Sequence, residues 1–435
     1  MTGGTAKPVT GDTATATAEM PTVVHAMGNG MTVLVQPMPW LRTAAFTIAV
    51  RGGVIDEPGD RDPGGSREGL ASLVAEMVQR GAGARNSRDL VADQDLLGLD
   101  RNVAVGTSIV SASVAMPAES FDDALPIYAD IFRRPHLPAD QLDDARMMGL
   151  QELRAVADEP SHRVNRRLRQ MQYGEVLGRG VVGTEPGLTS ITADDVRDFY
   201  TTHYHAGGAV IGVAGAVDPS RVVGLIEQSF GDWKTGPAVE YPDIGGTPGT
   251  EFIEHDSAQT HIGFSWPSIP YGHADYFRMR AGVGVLSDGM SSRLFDRVRE
   301  QRGLCYSVGC GCHSLPHAGG TFGYAGTTPP RARETLDVTI REIESLADDL
   351  TDDELSRWKV RMESGLIMEQ ESAGSRASSL VSDQLQIGRV QTTDELSRTI
   401  ESLTVDGVRD YWRQHPPRNY RVVALGPEPL TINGT

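Results

Sequence analysis

The 435-residue sequence lacks the features of several common classes of protein. It has only three cysteines, Cys305, Cys310 and Cys312, so a disulfide framework is excluded and a reducing, cytoplasmic location is expected. It has no run of 18 apolar residues, so we expect no membrane-spanning helix. It also lacks net positive charge. Its formal charge of −18 repels phosphate backbones and anionic lipids, so we expect neither nucleic acid nor a membrane surface as a partner.

The composition is that of a globular protein, with 39% hydrophobic and 23% charged residues. The length fits two domains of about 200 residues each. The first 20 residues are rich in Thr, Ala and Gly and have no apolar core of a secretory signal, so residues 1–20 are expected to be a disordered tail. A peptide with basic residues is a better candidate partner than nucleic acid, although many acidic proteins bind nothing basic.

Two halves of the chain repeat one pattern. Residues 192–203 (TADDVRDFYTTH) and residues 404–415 (TVDGVRDYWRQH) are identical at six of twelve positions, and a short apolar run follows each copy at the same offset. Further upstream, residues 137–142 (LPADQL) resemble residues 350–355 (LTDDEL) at nearly the same offset. Chance matches would not keep this register, so the sequence predicts a duplicated domain.

The boundary between the halves is predicted at residues 234–249, where Gly and Pro are dense and no hydrophobic period continues. The first domain then covers residues 21–233 and the second covers residues 250–435. In the first domain, Asn29-Gly30 between two apolar runs predicts a hairpin, and residues 104–116 are typical of a strand. Helical and strand patterns are mixed without strict alternation, which favours the α+β class.

Residues 67–80 (REGLASLVAEMVQR) have the period of an amphipathic helix, with one apolar face. The stretch from Gly69 resembles the motif helix of the insulinase and mitochondrial processing peptidase family. The resemblance implies an inverted zinc motif in which two histidines bind zinc and a glutamate activates water. In this sequence the three positions are Ser72, Ala75 and Glu76, and the family's third ligand, a glutamate, corresponds to Glu152.

These residue types predict that this chain holds no zinc. A serine hydroxyl is a poor zinc ligand, and Ala75 cannot act as a general base. Glu76 and Glu152 remain as a possible pair for calcium or magnesium, but two carboxylates without further oxygens make a weak site. The alternative is that they are solvated or hydrogen-bonded residues without a ligand.

Residues 291–308 (SSRLFDRVREQRGLCYSV) closely resemble the second-domain signature of the same family. The resemblance implies that Arg299 and Tyr306 bind the substrate backbone near the metal. A guanidinium offers several donors to carbonyl oxygens, and a phenol can donate to a developing oxyanion. The alternative is that Arg299 pairs with Glu300 or another surface acid and that Tyr306 packs in the sheet.

Other local patterns have structural explanations. Cys310, Cys312, His313 and His317 match no common zinc spacing, and on a strand the two cysteines would share one face while His313 points away. His203 and His205 alternate on one side of an extended segment, and His203 recurs as His415, which favours a structural role. The six glycines of residues 309–326 lack the ending of a phosphate loop and favour a glycine-rich strand pair.

The family resemblance implies a clamshell of two similar domains, each with a mixed or antiparallel sheet and helices packed on one face. It also implies a heterodimer in which one subunit keeps the zinc motif and the other keeps the arginine and tyrosine. The expected function is therefore a non-catalytic, substrate-binding subunit of a zinc endopeptidase that cleaves peptides. Zinc would be supplied by a homologous partner subunit, with no cofactor in this chain. The alternative is a purely structural, core-type subunit with no role in catalysis.

Overall fold

A computed structural model describes residues 20–59, 65–237 and 240–430. The predicted disordered tail lies outside these ranges except for Met20. The described strands are β1 (Val23–Ala26), β2 (Thr32–Pro37), β3 (Thr43–Arg51), β4 (Asp100–Val105), β5 (Ile109–Pro117), β6 (Val210–Gly215), β7 (Gly249–Glu254), β8 (Thr260–Ser268), β9 (Cys305–Leu315), β10 (Ala318–Thr327) and β11 (Arg421–Gly426).

The described α-helices are α1 (Leu70–Met77), α2 (Ser87–Leu96), α3 (Phe121–Arg133), α4 (Leu142–Ala157), α5 (Pro160–Leu177), α6 (Glu185–Ser190), α7 (Ala193–His203), α8 (Pro219–Phe230), α9 (Tyr276–Ser287), α10 (Ala332–Asp349), α11 (Asp352–Glu369), α12 (Ala373–Ile387), α13 (Thr393–Glu401) and α14 (Val405–Gln414). A π-helix, Leu294–Glu300, precedes β9.

The two sheets have the same topology, which confirms the predicted duplication and the α+β class. The first has the strand order β1-β2-β6-β3-β5-β4, and the second has the order β7-β11-β8-β10-β9. In each sheet one pair is parallel, β2 with β6 and β7 with β11. The other pairs of each sheet are antiparallel. Only the hairpin strand β1 has no counterpart among the described strands of the second sheet.

The repeated sequence segments fold alike in both halves. Thr192 caps α7 by accepting a hydrogen bond from the backbone N–H of Asp195, and Thr404 caps α14 by accepting one from Gly407. A threonine at this position satisfies a backbone donor that the helix itself cannot. The strands that follow, β6 and β11, are buried along their whole length.

Three local predictions can be compared with the structure. Asn29 and Gly30 lie in the turn between antiparallel β1 and β2, with φ of +91° at Gly30, so the hairpin is confirmed. Residues 104–116 contain parts of two strands, β4 and β5, because the chain reverses at residues 106–108. The helix predicted over residues 67–80 is shorter, Leu70–Met77, because Gly69 before it has a left-handed φ of +106°.

Each sheet packs helices of its own half on one face and a helix of the other half on the opposite face. In the first half, α1, α3, α7 and α8 share a core with the sheet. The opposite face contacts α12, through Leu380 and Val381 against β2, β3 and β6. Reciprocally, α5 contacts β8 and β11 of the second sheet through Val164 and Leu168.

Two glycines allow α12 to pack on the first sheet and α5 to pack on the second. A Cβ at Gly212 in β6 would lie 2.6 Å from the carbonyl oxygen of Ala377, and a Cβ at Gly263 in β8 would lie 2.4 Å from Val164 Cγ1. Close approach of a helix to a sheet needs residues without side chains at such points. Within the described ranges, no helix combines the length and apolar character needed to cross a bilayer.

Candidate functional site

The helix that carries the degenerate motif, α1, is held at its N-terminus by a buried carboxyl group. Glu57 Oε1 accepts hydrogen bonds from the backbone N–H groups of Gly69 and Ala71, at 3.1 and 2.9 Å. Burial raises the pKa of Glu57 to about 8, although these two N–H donors and Arg179 oppose the shift. Sequence reasoning missed this role of Glu57, since the sequence does not reveal that residues 57 and 69 meet.

Ser72 serves as a structural hydrogen-bond donor. Its hydroxyl donates to the carbonyl oxygen of Val181 at 2.6 Å, which ties α1 to the loop before α6. A histidine in the family motif would offer a nitrogen lone pair at this position, whereas here the proton of the hydroxyl is already used in a contact within the chain.

The other two motif positions hold a methyl group and an ion pair. Ala75 is 4% exposed and offers no proton acceptor. Glu76 Oε1 lies 3.0 Å from Arg80 Nη2 and 3.1 Å from Arg80 Nε, one helical turn away. Arg80 therefore places a fixed positive charge beside the second ligand position, and a divalent cation there would have to displace it.

Glu152 on α4 shares a cavity of about 380 Å³ with all three motif positions, Ser72, Ala75 and Glu76. Its side chain is exposed, and within the described residues it has no hydrogen-bond or ion-pair partner. The structure thus brings the four predicted positions together. Of these four side chains, only that of Glu152 has carboxylate oxygens that no other described residue binds. These residues do not fit zinc, and the Glu76–Arg80 pair also weighs against a calcium or magnesium site. In the described part of the chain, no group of three or more His, Cys, Asp or Glu residues has the arrangement of a metal site.

Arg299 and Tyr306 lie on either side of a turn. Arg299 is in the π-helix, its guanidinium stacks on the ring of Phe295 at 4.5 Å, and its Nε lies 3.5 Å from Glu300. Gly303, with φ of +60°, then reverses the chain into β9. Tyr306 on this edge strand is 65% exposed, and no described residue hydrogen bonds to its hydroxyl. The Arg299–Glu300 pair of the alternative interpretation is present, whereas Tyr306 does not pack in the core.

The cysteine and histidine segment forms a strand, as the glycine-rich pattern predicted. Along β9, Cys310 and Cys312 face the second core and Cys312 Sγ lies 3.5 Å from Met279 Sδ. On the opposite face, His313 Nδ1 lies 2.9 Å from the hydroxyl of Tyr173. Burial raises the pKa of Cys312 to about 11, which keeps the thiol protonated at neutral pH.

The repeated histidines have the same role in both halves. His203 packs against Phe199 with ring centroids 4.5 Å apart and the rings tilted, and His415 stacks on Tyr411 at 4.7 Å. His203 also lies 3.8 Å from Asp56, but burial lowers its pKa and favours the neutral ring. A contact shared by both domains supports a structural role.

A chamber of about 790 Å³ lies between the halves and was not predicted. Glu152, Val105 and Val181 line both this chamber and the cavity at α1, so the two are adjacent. Asn165, Arg169 and His313 line the chamber and also a groove of about 580 Å³ over β9 and β10. The degenerate motif and β9, the strand that contains Tyr306, therefore border one set of neighbouring cavities.

Two family models match the chain. The one described as "Insulinase (Peptidase family M16)" covers residues 38–185, and the one described as "Peptidase M16 inactive domain" covers residues 190–362. The chain belongs to the M16 peptidase family. The predicted insulinase-family membership is thereby confirmed.

Relatives of this M16 chain cover nearly its whole length. An uncharacterized zinc protease of Rickettsia felis is 25% identical over 88% of this chain and 92% of its own. An uncharacterized zinc protease of Mycobacterium tuberculosis is 26% identical over 92% of both chains. These relatives are named as zinc proteases. The residues at the motif positions of α1 in this chain, by contrast, do not fit zinc.

Two solved structures share the fold. A peptidase M16 inactive domain from Pseudomonas fluorescens has a TM-score of 0.83 at 20% identity, covering 95% of this chain and 99% of its own. A protease from Helicobacter pylori has a TM-score of 0.85 at 16% identity, covering 94% of this chain and 100% of its own. At these identities the likeness establishes the M16 fold and leaves the function of this chain to its own residues.

Proposed function

We propose that this M16 chain is the non-catalytic, substrate-binding subunit of a two-chain zinc endopeptidase. A homologous chain with an intact zinc motif supplies the metal and the general base. The observation that carries the proposal is the state of α1. Two of its three motif side chains are already bound within the chain, Ser72 to Val181 and Glu76 to Arg80, and the third is Ala75. The M16 fold around these positions is nevertheless present.

The second half offers groups that suit a peptide carbonyl. Tyr306 lies on an edge strand with a hydroxyl that no described residue hydrogen bonds, and a phenol can donate to the oxyanion of a tetrahedral intermediate. Arg299 is 41% exposed and its partner Glu300 is 56% exposed, so their ion pair is weak and can be exchanged for a substrate contact. In the assembled enzyme these two residues would bind and orient the substrate.

The edge position of β9 supports binding of an extended peptide. β9 pairs only with β10 in the described sheet, so its other edge is available for an added strand. Main-chain hydrogen bonds of this kind give affinity without requiring one particular sequence. The groove over β9 and β10 provides space for side chains of such a peptide.

The alternative is a structural, core-type subunit with no role in catalysis. It is favoured by one observation: Arg299 already has two contacts within the chain, the ring of Phe295 and the carboxylate of Glu300. In that case both residues would stabilise the turn before β9, and the peptide would be handled by the partner alone.

Reconstitution distinguishes the two functions. The chain alone, a homologue from the same source with an intact H-x-x-E-H motif, and their mixture are each assayed with a fluorogenic peptide library. We expect turnover to require the mixture. In the mixture, Arg299→Ala or Tyr306→Phe should lower kcat/KM about 100-fold, the size of effect found when an oxyanion donor is removed.

Arg302→Ala is the matched control, since Arg302 is exposed on the same turn and has no side-chain partner among the described residues. It should leave kcat/KM unchanged. Unchanged activity of the Arg299→Ala and Tyr306→Phe mixtures, with assembly intact by size-exclusion chromatography, would support the core-type alternative. Cleavage by the chain alone would contradict both.

A further inference from the structure

Helix α5 has two faces with different chemistry. Val164 and Leu168 are buried against the second sheet. The opposite face lines the chamber with polar and basic residues at the spacing of successive helical turns, namely His162, Asn165, Arg166 and Arg169. Among the described residues, three arginines and one glutamate, Glu152, are the side chains with a fixed charge that line this chamber. The chamber is therefore more positive than the protein as a whole.

The arginines differ in how their charge is balanced. Arg166 Nη2 lies 3.7 Å from Glu68. Arg179 lies 4.0 Å from Glu68 and donates to the carbonyl oxygen of Glu57 at 2.6 Å. For Arg169, no described carboxylate or carbonyl accepts a hydrogen bond from the guanidinium, whose Cζ lies 6.0 Å from the centroid of the Tyr173 ring.

A half-buried guanidinium without an anionic partner is costly. Burial lowers the pKa of Arg169, which is the direction expected when the charged form loses water without gaining a carboxylate. His313, on the facing strand, does not add a competing charge, because burial and the charge of Arg169 lower its pKa to about 4. A group of this kind is satisfied when an anion enters from the cavity.

We propose that Arg169, together with Asn165, forms a subsite for a carboxylate of the bound peptide. Both residues line the chamber and the groove over β9 and β10, so the subsite lies where a peptide in the groove would enter the chamber. A guanidinium can bind a carboxylate through two parallel N–H donors, and the amide of Asn165 offers a third donor. This inference rests on the proposed peptide-binding function and adds the class of substrate.

The net charge of the chain points to the opposite preference, and the local geometry outweighs it. A charge of −18 favours basic peptides in bulk solution. At physiological ionic strength, however, exposed charges are screened beyond about 8 Å, whereas a partly buried pair is screened much less. Selection inside the chamber is therefore set by Arg169 rather than by the distant acidic surface.

The carboxylate can belong to an acidic side chain or to the C-terminus of the peptide, and direct binding separates these sources. Four fluorescein-labelled versions of one peptide are titrated against the full chain by anisotropy: a central Glu pair with an amidated C-terminus, a central Gln pair with an amidated C-terminus, the Gln pair with a free C-terminus, and a central Lys pair with an amidated C-terminus. We expect the Glu peptide or the free-terminus peptide to bind about tenfold more tightly than the amidated Gln peptide.

Arg169→Gln should abolish this preference, and Arg169→Lys should restore part of it, because lysine keeps the charge without the planar donor pair. Arg88→Gln is the control, since it changes the net charge equally and its side chain has no partner among the described residues. Arg169→Gln should also unfold at the same temperature as the wild type or higher, because an unpaired charge is removed.

Three results would overturn the subsite. These are equal binding of the four peptides, tightest binding of the Lys peptide, or an acidic preference that survives in Arg169→Gln. In each case peptide binding itself would stand. If no peptide binds the wild type, the subsite and the proposed peptide-binding role fail together.

Discussion

The two halves of the molecule share one topology but differ at positions that the fold does not constrain. Helices α5 and α12 occupy corresponding places, each on the far face of the other half's sheet, and both bury small or branched apolar residues there. Towards the chamber, however, α5 presents Asn165 and Arg169, while α12 presents Ser378 and Ser382. Because the neutral face satisfies the same packing, the cation is not a requirement of the fold. Comparison of the two halves of a duplicated chain thus distinguishes structural residues from candidate functional ones.

The same comparison applies to the motif helix. In the first half, Glu57 holds the start of α1 and Glu152 lines the cavity without a partner among the described residues, but α1 carries no histidine at the motif positions. The second half keeps Arg299 and Tyr306. Under the proposed function, the difference from a zinc-binding chain lies in a few side chains of α1, and we expect substitution to reverse it.

Restoring the motif should have the largest effect. In a variant with Ser72→His, Ala75→Glu, Glu76→His and Arg80→Gln, two imidazoles and Glu152 would face one cavity without an adjacent guanidinium. We expect this variant to hold about one zinc per chain by metal analysis, as three protein ligands of these types suffice in catalytic zinc sites. Adding Glu152→Gln should remove most of the metal. A folded variant without zinc would show that the surroundings of α1 have diverged as well.

The second-half glutamate Glu354 should stabilise the fold at neutral pH. It accepts hydrogen bonds from the buried Arg293 at 2.6 and 2.7 Å and from the backbone of Thr351. Burial opposes its ionisation, but these donors outweigh it and hold the pKa at about 2. This stabilisation is full above the unfolded value of 4.5 and is lost as pH falls towards 2. Glu354→Gln should cost about 3 kcal/mol in urea unfolding at pH 7. The same cost at pH 2 would contradict this assignment.

Glu57 in the first half should give the opposite pH dependence. Its pKa is raised from 4.5 to about 8, so the folded state binds the proton more tightly and its contribution to stability falls as pH rises between these values. Relative to the wild type, Glu57→Gln should gain roughly 2 kcal/mol between pH 5 and pH 7, since a full proton difference gives about 1.4 kcal/mol per pH unit. Urea unfolding at both pH values measures this, and parallel pH profiles would show that the carboxylate is ionised in the fold.

We expect the smallest effects from substitutions of the glycines at which α5 and α12 contact the sheets. Gly212→Ala and Gly263→Ala should each destabilise by about 2 kcal/mol, because the new methyl meets a backbone carbonyl at Gly212 and the buried, β-branched Val164 at Gly263. Gly224→Ala in α8 has no described neighbour within 4 Å of the new methyl and should be neutral or slightly stabilising. Denaturant unfolding compares the three variants, and equal stabilities would mean that the helices do not pack closely.

Much of the fold follows from local signals in the sequence. Asn29-Gly30 specifies a hairpin, the repeated Thr caps specify two equivalent helices, and the motif resemblance placed Ser72, Ala75, Glu76 and Glu152 around one cavity. The packing of α5 and α12 on the sheet of the other half was not predictable. The apolar face of a helix shows that it is buried, but not which sheet it packs against. For the same reason the chamber and the unbalanced charge of Arg169 became visible only in the folded chain.

The zinc content of the purified chain tests the central claim most directly. The chain is produced in zinc-supplemented medium, dialysed without chelator and measured by inductively coupled plasma mass spectrometry. The contacts of Ser72 and Glu76 within the chain predict only a trace of zinc. A stable content of about one zinc per chain, lost in Glu152→Gln, would contradict the account, since it would show that these residues form a working metal site.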